Sequence, residues 1–119
     1  MKEKTNPLGN INISPRAIAT IAHQAAIQSY GVVGLAAKNF VNGLTYLIVK
    51  DPTHGVEVTK VEDKIDIDIY IVVQYGTRIA SVAGSVANTV RYHVEKALDY
   101  PINEVNVHVM GLRFNGDDS

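Results

Sequence analysis

Asp66, Asp68 and His108 are the residues of this sequence whose chemistry could be pooled. The two aspartates sit two positions apart in a run that alternates apolar and polar residues. On a strand, both side chains would leave from the same face. If the closing strand lies alongside, His108 joins them. Two carboxylates and an imidazole are ligands for a hard metal ion. A half-exposed strand, however, carries polar residues at alternate positions whatever its function. That account suffices here, and no metal or catalytic role is assigned to the three.

The remaining reactive side chains fall into no known constellation. His23, His54 and His93 have no HExxH-like spacing, and they read as ordinary surface or interface histidines. Ser14, Ser29, Ser81 and Ser85 lie in no Gly-x-Ser-x-Gly elbow. Gly31, Gly34 and Gly43 form neither GxGxxG nor a phosphate loop. The absence of cysteine removes disulfides, thiolate metal sites and cysteine nucleophiles together. The expectation is a protein that is not an enzyme, with no cofactor and no metal.

Composition narrows the partners. The 119 residues are 46% hydrophobic and 19% charged, with a net charge of −1. Such a chain can pack a core, but it offers no basic face for nucleic acid. No apolar run reaches the roughly 20 residues that cross a bilayer, and no apolar leader follows Met1. The protein is expected inside the cell, without direct membrane insertion. One α/β domain is expected over residues 8–114, with flexible tails at 1–7 and 115–119.

The elements that must position these residues can be read from the spacing. Gly9 to Ile13 reads as a short strand. Ser14-Pro15 starts a helix, with serine as cap and proline at a position that needs no N–H. Ala17, Ile18, Ile21, Ala22, Ala25 and Ala26 carry it to about Tyr30, where Gly31 stops it. So many alanines imply close approach to a neighbouring backbone. Val32 to Ala37 reads as a turn and a strand. Leu44, Leu47 and Ile48 are spaced like a short helix, and 51–55 is a loop.

Two strands follow, at 55–61 and 64–75, joined by a tight turn at Glu62-Asp63-Lys64. Ile65, Ile67, Ile69, Ile71 and Val73 are the core side of the second. Thr77 is the expected N-cap of a helix to about residue 100, with Ile79, Val82, Ala83, Val86, Val90, Val94, Ala97 and Leu98 on its inner side. Gly84 with Ala80, Ala83 and Ala87 suggests close helix packing, and Arg91 with Glu95 a weak surface pair. A last strand spans 104–110, with a bulge permitted at Gly111. The order β-α-β-β-α-β gives an α+β fold, with two main helices on one face of a small, mainly antiparallel sheet.

A domain without chemistry acts through its surface. Val32, Val33 and Leu35 are apolar residues in a glycine-bounded segment. Asp66, Asp68, Tyr70 and Val72, with His108 beside them, form a mixed strand face with an aromatic anchor, a composition that suits an interface. Segment 38–50 of the same chain is the competing cover for Tyr70 and Val72.

Four segments in this order resemble the alkaline-shock protein family, the envelope stress response proteins of Gram-positive bacteria. They are Gly31-Val32-Val33-Gly34-Leu35, His54-Gly55-Val56-Glu57-Val58, the stretch Ile67 to Gly76, and Val105-Asn106-Val107-His108-Val109-Met110-Gly111-Leu112. The similarity covers about residues 8–114. It implies a compact, non-enzymatic cytoplasmic α/β protein linked to envelope homeostasis, membrane-proximal through protein contacts. Longer members carry charged terminal extensions that this chain lacks. Its compact form resembles the short housekeeping branch, commonly encoded beside a dihydroxyacetone-kinase-like fatty acid kinase. The partners so implied are a membrane-anchored protein, a kinase subunit in phospholipid metabolism, or a second copy in a homodimer.

Overall fold

The structure, a computed structural model, describes residues 14–37 and 51–113. The strand expected over 9–13, the helix suggested by Leu44, Leu47 and Ile48, and both tails lie outside the described residues. The elements are α1 (Pro15–Ile27), β1 (Val32–Leu35), β2 (Val56–Val61), β3 (Lys64–Gln74), α2 (Ile79–Leu98) and β4 (Glu104–Arg113).

β3 is the axis of the sheet. Its first half pairs antiparallel with β2, from Lys64 opposite Val61 to Ile69 opposite Val56. Its second half pairs antiparallel with β1, with Ile71 opposite Leu35 and Val73 opposite Val32. β1 and β2 therefore share one edge of β3. Along the other edge runs β4, parallel to β3. A parallel neighbour needs a crossover, and α2 supplies it. The sheet is thus mixed, with two antiparallel pairings and one parallel. The β4 register shifts between the positions opposite Ile71 and Val72, and Gly111 pairs with Val72 beyond the shift, at the glycine where a bulge was expected.

The inner side of β3 is dry. Ile65, Ile67, Ile69, Ile71 and Val73 are essentially unexposed and share one core with Ile18, Ala22, Ala25 and Ala26 of α1 and Val82, Val86, Val90 and Val94 of α2. Both helices thus cover the same sheet face. The alanines of α1 are what allow it to lie close. Ser14 caps α1 as expected, its Oγ accepting from the Ala17 N–H at 3.0 Å.

Several local expectations shift. α1 ends at Ile27, and Gln28 to Tyr30 turn the chain into Gly31, whose φ of 87° suits a residue without Cβ. A Cβ there would also lie 2.6 Å from Val82 Cγ2. The residue before α2 in extended backbone is Arg78, not Thr77; the Thr77 hydroxyl donates instead to the Gln74 carbonyl, closing the turn. Gly84 is not at a helix crossing. It is exposed, and apart from its chain neighbours and its own helix backbone nothing among the described residues lies within 4 Å of where its Cβ would stand. The valine stripe at 82, 86, 90 and 94 faces the core, which turns the small-residue stripe outward, while Ile79 and Ala97, expected on the inner side, are exposed near the two ends of the helix. Arg91 and Glu95 do pair, at 3.5 Å, yet both also hold Ile102: Arg91 donates to its carbonyl and Glu95 accepts from its N–H. The pair fastens the link between α2 and β4.

Candidate functional site

The outer side of β3 carries the polar residues noted in the sequence. β4 does lie alongside, and it brings His108 opposite Tyr70. His108 Nε2 sits 3.0 Å from Asp68 Oδ1, and its ring stacks on Tyr70 with centroids 4.6 Å apart. The Tyr70 hydroxyl donates to Glu57 Oε1 of β2 at 3.4 Å. Asp66 takes no part: it accepts from Asn103 Nδ2 at 2.8 Å. Asp68 and His108 therefore converge and Asp66 does not. Among the described residues, no three His, Cys, Asp or Glu side chains are grouped to hold a metal ion.

This arrangement orders a surface. Burial, then the negative charges of Glu57 and Asp68, push the Tyr70 phenol above its ordinary pKa. Tyr70 is 7% exposed and Val72 3%, although both belong to the outer side. Leu35 is buried with the core, whereas Val32 and Val33 are half-buried. Of the eight residues proposed from sequence as a contact surface, Asp66, Asp68 and His108 thus keep substantial exposure together on one face.

A second surface lies at the far end of β3, where sequence reasoning did not look. The Gln74 N–H donates to the Gly31 carbonyl and the Tyr75 N–H to the Arg113 carbonyl, drawing the ends of α1, β3 and β4 together. Large side chains are left in solvent here: Tyr30 at 83% exposure, Tyr75 at 54% and Ile79 at 42%. Between the end of α1 and the first turns of α2 lies a half-open recess of about 420 Å³, lined by Tyr30, Gly76, Thr77, Arg78, Ser81, Val82 and Ser85. The sequence hint was an aromatic beside each turn glycine, Tyr30-Gly31 and Tyr75-Gly76. What it hid was the hydrogen bond from Gln74 to Gly31 that makes the two turns neighbours.

Histidines elsewhere serve the fold. His23 Nδ1 lies 2.9 Å from the His54 carbonyl, tying α1 to the loop before β2, and His93 meets Tyr92 edge-on.

Residues 3–114 match the model of the alkaline shock protein 23 family, described by its cell envelope-related function. The chain belongs to that family. Alkaline-shock relatives include the uncharacterized protein YloU of Bacillus subtilis (strain 168), 41% identical over 107 residues that cover 88% of this chain and 89% of that protein. YqhY of the same organism is 34% identical over 116 residues, covering 97% and 85%. Among solved structures, the copper form of MamM CTD has the same fold at 18% identity, with a TM-score of 0.50 over 87% of this chain and 90% of that one. No helix among the described residues of this alkaline-shock protein is long and apolar enough to cross a membrane.

Proposed function

We propose that this alkaline-shock protein is a non-enzymatic binding or scaffold protein of the cytoplasm, serving the cell envelope through protein contacts. The observation that carries this reading is the tyrosine-bearing end of the sheet. Tyr30, Tyr75 and Ile79 are large side chains that keep substantial exposure. Aromatic residues of this kind are enriched where proteins meet, because they cover much area at small entropic cost. The polar groups of the outer face support the same reading, since Asp66, Asp68 and Tyr70 are engaged with their own sheet and its flanking turn.

The test is affinity capture from cytosol and envelope fractions with the full chain, beside a variant carrying Tyr30→Ser and Tyr75→Ser, and light scattering on the pure protein. The expected result is a captured protein, or a homodimer, lost in the double variant. A membrane-anchored protein in the captured set would place the scaffold at the envelope, and a kinase subunit would place it in phospholipid metabolism. A monomer that captures nothing from either fraction removes the reading.

A further inference from the structure

We propose that the recess between α1 and α2 receives an acidic peptide segment of a protein partner, with Arg78 holding a carboxylate and Tyr30 lying over the bound side chain. This rests on the reading of the chain as a binding protein and adds the place and the chemistry. At about 420 Å³ the recess is large enough for a few peptide side chains. Thr77, Ser81, Val82 and Ser85 line it, and among the described residues its one formal charge is that of Arg78. No carboxylate among the described residues lines it.

The other described arginines are spoken for. Arg16 pairs with Asp51, Arg91 with Glu95, and Arg113 also has a partner. Among the described residues, the Arg78 guanidinium makes neither an ion pair nor a hydrogen bond, although its fork of donors fits a carboxylate two bonds at a time. Tyr30 stands at the rim, 83% exposed, with Tyr75 and Ile79 nearby in the fold. A concave, singly charged site with an aromatic rim suits an acidic residue next to an apolar one. A lipid surface would call for a cluster of roughly four to eight cations, and nucleic acid for a basic face. The recess has one cation in a chain of net charge −1.

The test is selection of random heptapeptides on the immobilised full chain, followed by fluorescence anisotropy with the enriched peptides. The expected pool is rich in Asp or Glu beside an apolar residue. Arg78→Glu weakens its binding by about tenfold or more, and Arg78→Lys, which keeps the charge but not the fork, by less. Ser85→Trp, which fills the recess from an exposed helix position, also abolishes binding while the melting temperature holds. Enrichment of peptides without acidic residues, or equal binding by Arg78→Glu, overturns the proposal. So does binding of phosphatidylglycerol vesicles or an RNA oligonucleotide when no acidic peptide binds. A cellular partner that stays bound to Arg78→Glu and Ser85→Trp leaves the binding-protein reading standing and removes this site. A protein that captures nothing removes both.

Discussion

The two sides of β3 follow different rules. On the inner side every second residue from Ile65 to Val73 is aliphatic and dry. On the outer side the same strand changes character along its length. Asp66 and Asp68 are half-exposed, whereas Tyr70 and Val72 are buried. Polar alternation reports that a strand has two sides; it does not report how much of each side meets water. The paired strands differ along β3 too. Glu57 and Thr59 of β2 stand opposite Asp68 and Asp66, and glycines, Gly34 and Gly111, flank Val72. Charged and polar neighbours keep water near the first half; segment 38–50, the cover expected for Tyr70 and Val72 in the second, lies outside the described residues.

The sharpest test of the inner side is Ile69→Asp. It places an unpaired charge at a position with 0% exposure. The loss of aliphatic packing alone costs about 2–5 kcal/mol, and the buried charge adds several more, against a typical total of roughly 5–15 kcal/mol. The expected outcome is an unfolded chain by circular dichroism at room temperature. A folded variant would mean that the inner side admits water.

Val72→Asp tests whether the outer side is divided. If the second half is as dry as its 3% exposure indicates, the change costs about 3 kcal/mol or more. Asp68→Asn, four residues earlier, should cost no more than about 1 kcal/mol, because its pair with His108 is partly in water. Equal midpoints in urea for the two variants would erase the division.

The smallest effect is expected at Tyr70 in alkali. Its folded pKa is raised above the usual value near 10, so the unfolded chain loses this proton first. The associated stability is present below pH 10 and declines as pH climbs through the folded value. Tyr100, shifted the same way by burial and Asp63, contributes with the same sign. Tyr70→Phe should lose about 0.5–1 kcal/mol at neutral pH with its bond to Glu57, and should show a shallower fall in melting temperature above pH 10. Identical slopes for variant and parent would show that the Tyr70 phenol does not cause the loss of stability in alkali.

Much of the fold was legible because it rests on local periodicity. The five apolar alternations of β3 and the valines at 82, 86, 90 and 94 each declared their buried side without help from the rest of the chain. Cap residues were less legible. Ser14 and Thr77 are both good caps in isolation, but the Gln74 carbonyl claimed the Thr77 hydroxyl. Gly84 misled for a related reason. A small-residue spacing shows that a close approach is possible, and only the valine stripe on the adjacent side of α2 decides which way it faces. The outer face was read in part. The meeting of Asp68 with His108 followed from placing the last strand beside β3, while the departure of Asp66 required Asn103, a residue with no pattern of its own. The recess at Tyr30 was invisible because its walls come from positions nearly fifty residues apart.

β3 is hydrogen-bonded to every other strand of the described sheet, and none of those strands pairs with another. In kinetic terms, assembly of this sheet has a single gate. The β2–β3 hairpin closes across two residues, whereas β4 must wait for α2 to form and swing it back parallel, joining Asp66 to Glu104. Loop-closure entropy makes the short contact the early one and the long crossover the late one. Substitutions at Val105 or Val107 are then expected to speed unfolding with little change in the folding rate, and those at Ile67 to slow folding, a pattern that chevron analysis would resolve strand by strand.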